Sequence, residues 1–332
     1  MKIGIVSYGL YVPENFETST EVATKAGLTP EEVIALGIEH KFMPAQDDQP
    51  VTMAVKAANQ AFERAKGIKP TDVDVVIWTG EEYKDYIAQT ASIRLQEEVG
   101  CHNAWAFDLV DQGVTSILGL RVARDLMVGD ASVNTILLAG GTRNVDLVDY
   151  ANPATRFLLA ASASGGAILL KRDHDENLLM GTTFIVDSEM ADEVYVPGGG
   201  TEIPFDPENL DSELMFFQVT HPKVVFDYLT QRWPVALTEV VKRVHPDRSP
   251  NYLALRHLCP ADRKQVLAQL KVKPEWSVSL SKWGHHGPND VIISLELGLS
   301  SGAIQDGAFV VLASGGIGFT YAAALIRWGR VK

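Results

Sequence analysis

The chain has 332 residues, 46% of them apolar and 21% charged, with 29 Lys and Arg against 42 Asp and Glu for a formal net charge of −13. That length suits two domain-sized units of about 150 residues each, and the apolar content suits a packed core rather than a disordered chain. The acidic balance, with no Lys/Arg-rich run, excludes a nucleic-acid-binding surface, and no apolar stretch reaches membrane-spanning length.

Alternating elements predict an α/β fold of two similar halves, residues 1–171 and 172–332. Residues 3–10 read as a buried first strand, which argues against a signal peptide. Helices follow over 19–26 and 30–35, with Thr29 capping ahead of Pro30 at the first helical position. Residues 52–65 repeat apolar side chains at helical spacing (Val55, Ala58, Phe62). Strand 73–79 and a helix over 83–99, closed by Gly100, come next. Strand 104–109 then runs through a short turn into a helix over 114–127 that is apolar on most of its surface, as an interior helix must be. Strand 133–139 and strand 166–170 complete the half.

The second half opens after a charged connector at 171–176. A strand over 182–186 precedes a Gly- and Pro-rich loop at 194–207. A helical stretch over 222–244 is interrupted near Pro234. Strand 252–255 delivers His257 at its end. Helix 260–270, strand 278–280, helix 290–299 and strands 309–313 and 318–326 follow.

Ordinary motifs are absent. The chain has no P-loop, no HExxH and no CxxC. Gly298-Leu299-Ser300-Ser301-Gly302 matches the string of a nucleophile elbow, but a helix precedes its serine where a strand is required. Gly316-Ile317-Gly318 lacks the rest of a dinucleotide fingerprint. His257 with Cys259, or His285 with His286, supplies two metal ligands where zinc needs three or four. No metal site and no cofactor are expected. Two cysteines, Cys101 and Cys259, make no disulfide framework, which fits a reducing, cytoplasmic setting.

Three segments in order resemble the β-ketoacyl-acyl-carrier-protein synthase III branch of the thiolase superfamily, near the hydroxymethylglutaryl-CoA synthase relatives. They are Ala104-Trp105-Ala106-Phe107-Asp108-Leu109 leading into the interior helix, the strand end at His257, and Ser314-Gly315-Gly316-Ile317-Gly318-Phe319-Thr320-Tyr321. The resemblance implies a five-layer αβαβα thiolase fold and acyl transfer or Claisen condensation on acyl-CoA or acyl-carrier-protein thioesters. The CoA or phosphopantetheine thioester is then a substrate. It also implies a homodimer, or a heterodimer with a paralogue, with strand 133–139 near the interface.

In that family a cysteine at the tip of the interior helix takes the acyl group, its thiolate favoured by the helix N-terminus. Five residues after Asp108 the position holds Gly113, which has no side chain to act. A vacated nucleophile seat, natural or introduced, and a plain helix-start glycine are both open readings. The resemblance implies that His257 and His285 polarise a thioester carbonyl, and that the backbone N–H groups of Gly113 and Ile317 form the oxyanion hole. The segment 31–35 matches the CoA mouth but lacks the tryptophan and arginine found there. Tyr86 matches a position that closes a partner's acyl tunnel. Arg263 and Lys264 match a carrier-protein-facing helix, although a solvated charged face explains them equally well.

Other groups near the site have simpler readings. Asp111 reads as a cap or first-turn acid, Thr115 and Ser116 as hydroxyls bonding back to the helix, and Cys259 as a small buried hydrophobe. Cys101 lies too early in the chain to be the nucleophile. Two functions follow from this reading: an acyl-thioester transferase, or a non-catalytic acyl-binding subunit for a cysteine-bearing paralogue.

Overall fold

The computed structural model describes residues 1–206, 212–246 and 249–330. Its first half runs β1 (Ile3–Tyr11), β2 (Phe16–Thr18), α1 (Ser19–Ala26), α2 (Pro30–Ala35), β3 (His40–Phe42), α3 (Pro50–Arg64), β4 (Val75–Trp78), α4 (Ala91–Val99), β5 (Trp105–Asp108), α5 (Thr115–Gly129), β6 (Thr135–Thr142) and β7 (Ser164–Arg172). After a turn come β8 (Glu176–Val186), β9 (Val194–Tyr195), β10 (Gln218–Val219), α6 (Pro222–Gln231), α7 (Trp233–Val244), β11 (Tyr252–Leu255), α8 (Pro260–Leu270), α9 (Asp290–Ser300), β12 (Phe309–Gly316) and β13 (Thr320–Arg330).

Nine strands form one continuous sheet in the order β11-β12-β13-β8-β1-β7-β6-β4-β5. The period of two along each strand divides its side chains between two cores. Val75 and Ile77 of β4 face an inner core with α5 and α9, whereas Val76 and Trp78 face α3 and α4. In the second half Ala254 and Leu312 share that inner core, while Leu253, Leu255 and Val311 face α7 and α8. The result is α3/α4, half-sheet, α5/α9, half-sheet, α7/α8: the five-layer thiolase arrangement. The near-continuous apolar runs in β4 and β11 are what a strand covered on both faces requires.

Several elements depart from the sequence expectation. The helix expected over 83–99 begins only at Ala91. The Asp108 carboxylate at the end of β5 accepts the Ala91 and Ser92 N–H groups, both at 2.9 Å, and pairs with Lys84 at 3.0 Å. Asp85 turns the other way and accepts the Val51 N–H at the start of α3, at 3.1 Å. Residues 83–90 are thereby held as a loop. The strand expected at 278–280 is irregular. Strand 133–139, expected near an interface, lies inside the sheet: β6 is flanked by β7 and β4 and wholly buried, and the open edge of this half is β5.

Asp108 thus joins β5, α4 and the 79–90 loop. Asp108→Ala is expected to lower the unfolding free energy by roughly 2 kcal/mol, the combined scale of a lost cap and an unpaired enclosed ammonium. Urea denaturation measures it, and an unchanged midpoint would remove this role.

Candidate active site

The chain leaves β5, turns through 109–114 and enters α5. Gly113 sits in that turn at φ +71°, in the left-handed region. A Cβ built there would lie 2.7 Å from the Gly315 carbonyl oxygen and 2.9 Å from the Gly316 Cα. The obstruction is backbone, not a movable side chain. The approach is equally tight from the other side, because a Cβ on Gly316 would lie 1.5 Å from the Gln112 carbonyl oxygen. Ser314 Oγ locks the contact by donating to the Gly113 carbonyl at 2.6 Å. The glycine turn and the α5 tip are therefore brought together as expected, but with no space for a side chain at 113.

The Gly113 N–H, expected in an oxyanion hole, instead donates to Glu81 Oε1 at 3.2 Å. Glu81 was not singled out from sequence, since one acid in the loop after β4 carries no distinguishing spacing. It is 2% exposed, and its other oxygen is buried with no hydrogen-bond partner among the described residues. Burial pushes its carboxyl up to about 7.

Thr115 bonds back as expected, its hydroxyl donating to the Asp111 carbonyl at 2.6 Å. Ser116 is buried with its Oγ unpartnered among the described residues. Asp111 is not a cap: α5 has Val114 at its N-cap and no side-chain cap. Burial raises the Asp111 carboxyl above the ordinary range.

The second wall comes from the end of β11 and the start of α9. Asp290, the first residue of α9, is fully buried and collects three donors. Its Oδ2 accepts the His257 N–H at 2.9 Å and His285 Nδ1 at 2.6 Å, and its Oδ1 accepts the His286 N–H at 2.7 Å. Burial opposes its ionisation, but His285, His286 and Arg256 hold its carboxyl well below the usual range. His257 Nε2 donates to the Gly37 carbonyl at 2.9 Å, which leaves Nδ1 as the bare nitrogen. Burial pushes His257 down to about 4.

His285 is not the free donor that the sequence suggested. Its Nδ1–H is held by Asp290 and its Nε2 accepts from Arg256 Nη2 at 3.0 Å. Its ring lies 6.3 Å from that of His257. His286, adjacent in sequence, points elsewhere: its ring nitrogens face the Ala163 and Trp283 carbonyls at 3.1 and 2.9 Å.

These groups border one cavity of about 390 Å³. Glu81, Gly113, Arg256, His257, His285 and Ile317 form its polar end, and Phe157, Phe217, Phe226, Leu229 and Trp233 its apolar walls. Leu36 and Ile38, just past α2, also line it, and the exposed Arg156 stands on its border from a different segment. Sequence reading found no arginine for this mouth because Arg156 is distant in the chain. Cys259 borders the cavity too, but its Sγ accepts the Asp262 N–H at 3.5 Å and burial pushes its thiol up. Burial lifts the Cys101 thiol to about 12.

Three further residues, expected to face a partner rather than this chain's own cavity, lie outside it. Tyr86 is 70% exposed in the 79–90 loop and does not line the cavity. Arg263 is half-buried, and its Nη2 donates to the Pro274 carbonyl at 3.1 Å and to the Ser277 carbonyl. Lys264 is exposed on α8. Among the described residues no cluster of three or more His, Cys, Asp or Glu could hold a metal, and no helix is long and apolar enough to cross a membrane.

Burial also pushes His286 down to about 4. Its folded value lies below the ordinary 6.5 or so, so the unfolded chain binds the extra proton and stability falls as pH drops through that window. Glu81, raised when folded, acts in the opposite sense. Comparison of the wild type with His286→Gln isolates the histidine. Between pH 6.5 and 5 the variant is expected to lack about 1 kcal/mol per pH unit of destabilisation, measured by urea unfolding. Parallel profiles would show that His286 is not held neutral.

Comparison with known proteins agrees with this architecture. Residues 107–188 match the family model for 3-oxoacyl-[acyl-carrier-protein (ACP)] synthase III, and residues 261–328 match the model for its C-terminal part. The β-ketoacyl-[acyl-carrier-protein] synthase III of Koribacter versatilis is 24% identical over 98% of this chain and 97% of its own. That of Fusobacterium nucleatum is 26% identical over 98% of both. The crystal structure of the Pseudomonas aeruginosa synthase III superposes with a TM-score of 0.84 over 100% of both chains, at 21% identity. The chain is thus similar to the 3-oxoacyl-[acyl-carrier-protein] synthase III family over these two segments and shares the thiolase fold of its solved structures.

Proposed function

We propose that this chain is an acyltransferase that moves an acyl group directly from a CoA or carrier-protein thioester to an acceptor, with no acyl-enzyme at position 113. The observation that carries this reading is the closed backbone contact at Gly113, beside a buried carboxylate with one oxygen unpartnered among the described residues. A glycine required by its own φ and by the close approach of the 315–316 backbone is better read as native than as a cysteine recently removed.

In this scheme Glu81 is the general base. Its carboxyl near 7 is matched to neutral pH, whereas His257 near 4 is a weak base. Glu81 takes the proton from the acceptor as the acceptor attacks the thioester carbonyl carbon. The carbonyl oxygen becomes an oxyanion, and the Ile317 N–H in the glycine turn is the backbone donor for it. Collapse breaks the carbon–sulfur bond, and the departing thiolate recovers the proton from Glu81. The Asp290–His285–Arg256 chain fixes the opposite wall so that these groups need not reorganise.

Arg156 at the cavity border suits a phosphate on either thioester carrier. Assembly fits the β5 edge, where Trp105 is half-exposed and its ring stacks on Phe107 with centroids 5.3 Å apart. Tyr86 and Ile87, each 70% exposed, extend an apolar surface in the loop that Lys84 ties to Asp108. A second copy or a paralogue would cover these groups. The same closed contact at Gly113 also favours the second reading, a non-catalytic acyl-binding subunit, if the chain alone turns nothing over.

Thiol release from octanoyl-CoA with hydroxylamine as acceptor tests the two readings. The wild type is expected to release thiol without gaining acyl mass, with a rate rising through about pH 7. Glu81→Gln should lower the rate by about 10²–10⁴-fold and abolish that rise. Thiol release that Glu81→Gln leaves unchanged refutes the base assignment, and no release at all leaves the binding-subunit reading. Gly113→Cys is expected to destabilise the fold by roughly 1–3 kcal/mol in thermal denaturation and to remain unacylated by intact mass. Ready acylation of a stable variant would instead identify an open thiol seat.

A further inference from the structure

Lys41, the middle residue of the short strand β3, played no part in the sequence expectation. It is 0% exposed, although it carries an ammonium. Its Nζ donates to the Leu159 carbonyl at 3.1 Å and stands 4.5 Å from the centre of the Tyr150 ring. Glu17 lies opposite it in the β2–β3 pairing. The Glu17 oxygens, however, accept from Lys25 Nζ at 2.5 Å and from the Tyr150 hydroxyl at 2.6 Å. Glu17 on β2, Lys25 on α1 and Tyr150 in the connection from β6 to β7 are the charged and titratable groups that face it. An enclosed ammonium is costly, and a methionine would fill similar space without the charge. The charge is therefore better explained by what it holds.

Leu159 belongs to a stretch whose Leu158, Ala160 and Ala161 line the cavity, and that stretch carries the backbone of His285. The His285 N–H donates to the Ala160 carbonyl at 2.7 Å, and the Ser162 N–H donates to the His285 carbonyl at 2.8 Å. Ala161 and His285 pair as an isolated bridge. Lys41 reaches the same place by a second route. A Cβ built on Gly284 would lie 3.0 Å from the Lys41 Cβ and 2.8 Å from the Ala160 carbonyl oxygen. The lysine stem therefore packs on the residue just before His285. Phe42, next on β3, completes the clamp: its N–H donates to Ser162 Oγ at 3.1 Å, and its carbonyl accepts the Ala163 N–H at 3.0 Å.

We propose that Lys41 is a positioning residue for His285: its ammonium, held between the Tyr150 ring and the Leu159 carbonyl, fixes the 158–161 wall of the cavity and, through it, the backbone that carries the histidine. This rests on the proposed function for the cavity being the reacting site, and Lys41 itself touches no substrate. An ammonium donates more strongly than an amine, and only the ammonium is drawn to the face of an aromatic ring. The placement of the wall therefore depends on the proton at Nζ. Burial pushes that group down to about 8, against the pull of Glu17, so mild alkali removes the proton. Tyr150 does not titrate with it, because burial and its bond to Glu17 push the phenol up.

The backbone and ring nitrogens of His285, observed by NMR in ligand-free protein labelled with 15N-histidine, make the test between about pH 7 and about pH 9.5. The chain has eight histidines, few enough to assign by substitution. Burial and Arg256 push His285 down, so it stays neutral over this range and a step in its signals reports a neighbour. The wild type is expected to show such a step with its midpoint at about 8. Glu81, at about 7, is another group on the cavity that titrates nearby, and Glu81→Gln should leave the step at about 8 in place. Lys41→Met, which removes the charge, and Lys41→Arg, which makes it permanent, should each abolish the step. A lysine that merely fills space would leave the wild-type signals without a step at about 8; that result overturns the proposal and needs no variant to fold. A step that survives both Lys41 variants also overturns it. No thioester is present in this measurement, so absence of thioester turnover counts against the proposed function alone and leaves this inference standing.

Discussion

The buried Asp290 carboxylate is the constraint on which the site depends. It stands at the first turn of α9, where a helix N-terminus favours negative charge, and it gathers the backbone of His257, the ring of His285 and the backbone of His286. These come from the end of β11 and from the turn before α9. One ionised group therefore sets the spacing of an entire wall. It also fixes the tautomer of His285, and with it the direction in which Arg256 donates.

The opposite wall is organised by backbone contact rather than charge. Gly113, Gly315 and Gly316 let the α5 tip and the β12–β13 turn touch with no side chain between them. In a chain with this fold the tip of the interior helix is where a nucleophile would enjoy the helix dipole. Here the space is filled by main chain, and the polar chemistry moves to Glu81 on one side and Arg256 on the other. The centre is thus an acid with a raised carboxyl and a guanidinium that donates to neutral acceptors.

Much of the fold was legible because its signals are local. The period of β4 and β11, the glycine closing α4, the Thr29 cap and the apolar interior helix α5 each report on a few neighbouring residues. The start of α4 was not legible, because its cap is Asp108, supplied by a strand that follows it in sequence. The position of β6 in the middle of the sheet was not legible for a related reason: strand order is set by long-range pairing, and an edge strand and an inner strand can share one apolar pattern.

At the site, the amino-acid sequence by itself determined the glycine at 113, the histidine after β11 and the Ser314–Gly316 turn, because each is a residue identity at a recognisable spacing. Only the tertiary structure decided what those residues do. It committed both nitrogens of His285 and tied Arg263 to the Pro274 carbonyl. It also directed the Gly113 N–H at Glu81, and it set Arg256 against the Gly315 carbonyl and His285. The physical reason is that hydrogen-bond partners and desolvation belong to groups brought together from distant parts of the chain, and neither is written in the order of residues along any one segment.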